Sequence, residues 1–109
     1  MKKVKLLFVC TENMERSPTA EDLFKDSRKV EAKSCGTGIL ARKKVNDYAL
    51  RWADKIFVME QHHKDYILEH FPFAKKKEIK VLDVLDVYPR NDGELVEILK
   101  KKLKIYLSK

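Results

Sequence analysis

The sequence predicts an α/β fold built as a doubly wound, four-stranded parallel sheet with helices on both faces. Three observations carry that expectation. Short apolar runs alternate with stretches whose apolar residues recur every three or four positions. The chain is 109 residues long, which suits one domain spanning 1–109. It contains no internal repeat, linker or low-complexity segment.

Taken in order, Val4 to Val9 reads as the first strand, and Pro18 to Asp26 as a helix with proline in its first position. Val30 to Lys33 is the second strand, and Val45, Tyr48, Ala49 and Trp52 form the stripe of a second helix. Ile56 to Met59 and Ile79 to Leu85 read as the third and fourth strands, with a helix over His63 to Phe71 between them. The last helix carries Leu95, Ile98, Leu99, Leu103 and Tyr106, with Asp92 placed to cap it and lysines on its other face.

Composition narrows the function classes. No apolar run is long enough to span a membrane, and Val4 to Val9 is too short for the apolar region of a signal peptide, so a cytoplasmic protein is expected. In that compartment Cys10 and Cys35 stay reduced, so a reactive thiol is expected rather than a bridge. The 24 basic against 17 acidic residues give a net charge of +7, which favours anionic partners. The basic runs at 42–44, 75–77 and 100–102 read as solvated faces, and no aromatic-rich motif accompanies them, so nucleic acid is not an expected partner. His62, His63 and His70 lack cysteine partners and fit a partly exposed helix, so neither a metal nor another cofactor is expected. Tyr48, Trp52, Tyr66 and Phe71 read as packing residues.

Ligands of doubly wound sheets bind outside the carboxyl ends of the strands, which directs attention to the segment starting at Cys10. Cys10 and Arg16 lie six positions apart, between a buried strand and a helix start. A loop entering a helix points several backbone N–H groups into one concavity suited to phosphate oxygens, and Arg16 adds a bidentate fork. The same positive field favours a thiolate at its centre. Thr11, Glu12, Asn13, Met14, Glu15, Arg16 and Ser17 are the candidate phosphate-binding residues. Two roles stay open for Ser17, a hydrogen bond to the Cys10 sulfur or a helix N-cap. Asn13 suits a left-handed backbone or braces the loop through its amide.

Val9-Cys10-Thr11-x-Asn13-x-x-Arg16-Ser17-Pro18-Thr19-Ala20-Glu21 resembles the signature of the low-molecular-weight protein tyrosine phosphatases. Ser34-Cys35-Gly36-Thr37 and Ile56-Phe57-Val58-Met59 are similar to the family's later segments. The resemblance implies Cys10 as nucleophile, Arg16 as phosphate clamp and an aspartate near the last helix as general acid. Asp86 is the best counterpart, in Asp86-Val87-Tyr88-Pro89-Arg90-Asn91-Asp92, with Asp83 and Asp92 as alternatives. The resemblance also implies that Tyr88 lines the substrate cleft or is itself a phosphorylation site.

The chain departs from the pattern in length, with a helix and a loop missing after Thr37, which predicts a more open cleft. Glu12 stands where glycine is common, Glu15 where many members have a second cysteine, and Val87 where a proline follows the acid. Two carboxylates beside a dianion oppose its binding unless they point outward or pair with bases. Met14 favours phosphotyrosine or another aryl phosphate over phosphoarginine as substrate, so a phosphorylated protein or a small aryl phosphate is the expected partner of a monomeric enzyme. The competing readings are a phosphocysteine carrier, a non-catalytic phosphate-binding module and, with no cysteine after Cys35, a less favoured arsenate reductase.

Overall fold

The computed structural model describes residues 2–107; Met1, Ser108 and Lys109, the ends of the expected 1–109 domain, lie outside it. Four strands, β1 (Val4–Cys10), β2 (Val30–Gly36), β3 (Lys55–Val58) and β4 (Ile79–Val81), alternate with four helices, α1 (Arg16–Asp22), α2 (Asp47–Trp52), α3 (Gln61–His70) and α4 (Gly93–Leu107). A short 3-10 helix, Pro72–Lys76, follows α3. The sheet order is β2-β1-β3-β4 and every pairing is parallel. This is the doubly wound arrangement the apolar pattern predicts.

β1 is central, and Leu6, Leu7, Phe8 and Val9 are wholly buried, as expected of a parallel strand covered on both faces. Alternation then divides its side chains. Leu6, Phe8 and Cys10 face a layer with Ala20 of α1 and Leu95, Leu99 and Leu103 of α4. Leu7 and Val9 face the opposite layer with Leu50 of α2 and Ile67 of α3. No described helix is long and apolar enough to cross a membrane.

Several elements differ from expectation. α1 begins at Arg16, which puts Pro18 third rather than first. Proline is tolerated there because N–H groups in the first turn have no partner inside the helix. The helix also ends at Asp22, and residues 23–26 continue as turns. β4 ends at Val81 rather than Leu85 because Asp83 adopts a left-handed backbone (φ 56°), although Leu82 and Val84 still donate to the carbonyls of Val58 and Met59. Tyr48 is largely exposed rather than packed in the core, with Lys33 over its ring and closer still over Trp52. Asp92 caps α4 as expected, its carboxylate accepting from the N–H groups of Glu94 and Leu95.

Where a helix and loop were expected to be missing after Thr37, the chain makes a short loop closed by a bridge between Gly36 and Lys44. Gly36 accepts from Val45 and donates to Lys43.

Candidate active site

The sheet order turns outward in both directions from β1 and β3, so the crevice between their carboxyl ends is the topological switch point. Val9 of β1 pairs with Val58 of β3, and Met59 donates to the carbonyl of Val9. Residues just after β3 are thereby set beside the loop that follows β1.

That loop, residues 10–16, lines a cavity with Cys10, Glu12, Met14, Glu15 and Arg16, and Asp86 arrives from the segment between β4 and α4. Cys10 and Arg16 from one loop and Asp86 from a distant stretch of sequence meet in one place. Asp83 and Asp92 do not line this cavity. The carbonyl of Asp83 accepts from Lys102, and Asp92 caps α4.

Loop shape rests on a buried polar network. Asn13 is left-handed (φ 59°), and its Nδ2 donates to Ser17 Oγ and Ser34 Oγ, each at 2.9 Å. Both readings of Asn13 therefore hold. Ser17 Oγ lies 3.0 Å from Cys10 Sγ and also donates to the carbonyl of Cys35. Of its two open roles, the contact with sulfur is present and the N-cap is not, because α1 starts two residues earlier than that role requires, with Glu15 at the cap position. Ser34 donates in turn to Glu21 at 2.5 Å.

Arg16 is the largest fully buried side chain. Its Nη1 donates to Glu60 Oε2 at 2.5 Å and to the carbonyl of Val84 at 2.6 Å, and its Nε stands 3.7 Å from Asp86 Oδ1. With Nη1 engaged, Nε–H and Nη2 form the fork that is left for a planar or tetrahedral anion. The Val84 contact also pins the chain two residues before Asp86, and Thr19 Oγ1 accepts from Asn91 N–H beyond it. These anchors position the Asp86 segment without the proline that Val87 replaces.

Glu60 and His63 were not singled out for this role by their spacing. Glu60 precedes α3 and forms a reciprocal cap with His63. His63 Nδ1 accepts from the Glu60 N–H, so Nε2 carries the proton and donates to Thr11 Oγ1 at 2.8 Å. Far from lying on a partly exposed face, His63 is wholly buried, and burial, helped by the charges of His62 and Arg16, pushes its pKa down to about 3. It is neutral at ordinary pH. Hydrogen bonding to Arg16 holds the Glu60 carboxyl below its usual range. Donor atoms of Glu60, His62 and His63 lie within 4.8 Å of one another, yet both His63 nitrogens and one Glu60 oxygen are engaged by Thr11, the α3 cap and Arg16.

Two further placements bear on the expectations. Arg42, read as part of a solvated run, donates through its backbone N–H to the carbonyl of Glu12 and through Nε to that of Asn13, so it braces the loop. Tyr88 packs half-buried against the core cluster that contains Leu95 and is not among the cavity-lining residues. Glu12 and Glu15 are exposed at the mouth, and no ion pair among the described residues includes either. Burial, with a smaller push from Cys10, raises the Cys35 pKa to about 12, which leaves it a protonated, inert thiol.

Residues 5–46, from β1 to the residue that caps α2, match the model of the family described as low molecular weight phosphotyrosine protein phosphatase. The chain matches this family over its phosphate loop, Cys10 and Arg16 included, and over less than half of its length. It is a cysteine-based phosphatase. The phosphatase is 28% identical to a protein-arginine-phosphatase of Geobacillus stearothermophilus over 126 aligned positions, covering 94% of this chain and 83% of the relative. It is similar to a cysteine-to-serine mutant of the YwlE arginine phosphatase solved with a phosphorylated active site serine, at 25% identity and a TM-score of 0.76, covering 97% of each chain. The low molecular weight protein tyrosine phosphatase of Streptococcus pyogenes shares its fold, with a TM-score of 0.79 at 20% identity over 96% of this chain and 91% of that one.

Proposed function

We propose that this phosphatase hydrolyses phosphate monoesters of protein side chains, phosphotyrosine first among them, through a phosphocysteine intermediate on Cys10. The observation that carries the proposal is the meeting of Cys10, Arg16 and Asp86 in one cavity at the switch point of the sheet. Phosphoryl transfer needs an in-line nucleophile, stabilisation of the equatorial oxygens and a proton for the leaving oxygen. In this reading the Cys10 sulfur attacks phosphorus while backbone N–H groups of residues 11–16 and the Arg16 fork hold the oxygens. The bond from phosphorus to the aryl oxygen breaks, and Asp86 protonates that oxygen. Water then attacks the phosphocysteine, gives its proton to Asp86 and releases inorganic phosphate, with the Ser17 hydroxyl turning its one proton from the Cys35 carbonyl to the departing sulfur. Repeated release of phosphate separates this reading from a carrier or a binding module.

Phosphoarginine is a second substrate, favoured by one observation. Three carboxylates, Glu12, Glu15 and Asp86, surround the mouth, and they suit a cationic leaving guanidinium better than a neutral phenol. The arginine phosphatases among the relatives agree with this reading, whereas exposed Met14 beside the cavity offers an aromatic leaving group an apolar contact. We place the enzyme in the cytoplasm as a monomer of one domain, where its thiols stay reduced.

The test is turnover of para-nitrophenyl phosphate, a phosphotyrosine peptide and a phosphoarginine peptide by the native enzyme and by Cys10→Ser, Arg16→Ala and Asp86→Ala. Loss of turnover in Cys10→Ser and a fall of about a hundredfold or more in the other two are expected. Full turnover in Cys10→Ser overturns the mechanism. A higher kcat/KM on the phosphoarginine peptide selects the second substrate.

A further inference from the structure

Eight large apolar side chains are exposed among the described residues, and five of them, Met14, Ile39, Leu40, Leu85 and Val87, sit on loops at the carboxyl edge of the sheet. Met14 lines the Cys10 cavity itself. Ile39 and Leu40, at 93% and 84% exposure, occupy the tip of a turn closed by a hydrogen bond from Ala41 N–H to the Gly38 carbonyl. Gly38 is seated on the phosphate-loop side, donating to the Thr11 carbonyl at 2.9 Å, and a Cβ added there would lie 3.0 Å from a carboxylate oxygen of Glu12. Leu85 and Val87 flank Asp86 on the other side.

Apolar side chains clustered around a cavity mark an interaction surface rather than ordinary surface scatter. Here they are interleaved with the carboxylates of Glu12, Glu15 and Asp86. Because the apolar groups fall on both sides of the cavity, an occupant that uses them all must run across it. An extended polypeptide with its phosphorylated residue in the cavity satisfies that geometry, with apolar side chains to either side and a cationic one facing the carboxylates.

We propose that these loops form a docking surface for an extended segment of a phosphorylated protein that carries apolar residues on both sides of the phosphorylated one and a lysine or arginine beside it. The proposal rests on the phosphatase reading above for its substrate, but not for its surface. The short loop after Thr37 leaves Ile39 and Leu40 free to make this contact in place of a built wall.

The experiment compares two phosphotyrosine peptides, each with a lysine next to the phosphotyrosine and with either leucine or serine at the surrounding positions. kcat/KM is measured with the native enzyme and with the double variant Ile39→Ser, Leu40→Ser, and affinity is measured by fluorescence anisotropy in a Cys10→Ser background. The native surface is expected to prefer the leucine peptide about tenfold in both readouts, and the double variant to lose that preference while turning over para-nitrophenyl phosphate at the native rate. Equal treatment of the two peptides by the native surface overturns the proposal, as does a preference that survives in the double variant. A native dimer in sedimentation that the double variant dissolves also overturns it, assigning the patch to a second copy of the chain. Anisotropy reads docking without turnover, so an enzyme inactive on every substrate sinks the phosphatase reading alone.

Discussion

Replacing Glu60 with glutamine tests how the Arg16 clamp is held. The guanidinium is 2% exposed and sits 2.5 Å from a carboxylate that is itself 30% exposed. Glutamine keeps one acceptor oxygen, which can face Nη1, but removes the charge and puts an amide NH2 where the second oxygen caps α3. A hydrogen bond to a charged group contributes about 1.5–3 kcal/mol, and the partial exposure of Glu60 places this one near the lower end. The carbonyl of Val84 and the more distant Asp86 remain as partners, so Arg16 is weakened rather than stranded. Glu60→Gln is therefore expected to lower kcat/KM for para-nitrophenyl phosphate roughly tenfold, since about 1.4 kcal/mol corresponds to a factor of ten. The urea midpoint falls with it, and the inhibition constant for inorganic phosphate rises by a similar factor, a change that a purely structural role for Glu60 would not produce. A folded Glu60→Gln protein with unchanged phosphate affinity and kcat/KM within twofold of native refutes the reasoning.

Three further outcomes follow from the network around the loop. His63 has a folded pKa of about 3 against an ordinary 6.5, so the unfolded chain binds the proton first. Its contribution is complete above about pH 6.5 and is lost as pH falls toward 3, by up to about 1.4 kcal/mol per unit, which urea unfolding at pH 7 and pH 5 will register and His63→Asn will flatten. A Cβ at Gly36 would lie 2.3 Å from the Thr11 carbonyl oxygen and 3.0 Å from Asn13 N, so Gly36→Ala is expected to displace the phosphate loop and cut kcat/KM by more than tenfold, with the displacement visible in amide chemical shifts of residues 11–13. Cys35, buried and with its pKa raised to about 12, is expected to resist iodoacetamide at pH 8 in the folded protein and to react once urea unfolds it, as mass spectrometry of the digested chain will report.

The fold was legible wherever burial imposed a pattern. β1 reads as a strand because all its central residues are buried, and α4 reads as a helix because Leu95, Leu99 and Leu103 fall on one stripe with Asp92 before them. The end of β4 was not legible, since the break depends on the left-handed backbone at Asp83, which an apolar run does not encode. In the site, Cys10 and Arg16 were visible through their spacing at the end of a strand, and Asp86 through family resemblance. Glu60 and His63 were hidden because their importance comes from strand order: only when β3 lies beside β1 does the start of α3 meet the phosphate loop. The one available signal was their place directly after the third strand, at the switch point. Arg42 had no signal, because its bonds go to backbone carbonyls that any sequence would supply.

The central claim is that phosphate passes through the Cys10 sulfur. Rapid quenching of native enzyme with excess phosphotyrosine peptide, followed by mass spectrometry of the Cys10-containing fragment, tests it most directly. A phosphoryl group on Cys10 that appears at the rate of phenol release and disappears as inorganic phosphate forms is the predicted result. Steady release of phosphate with no phosphoryl group ever found on Cys10 would contradict it.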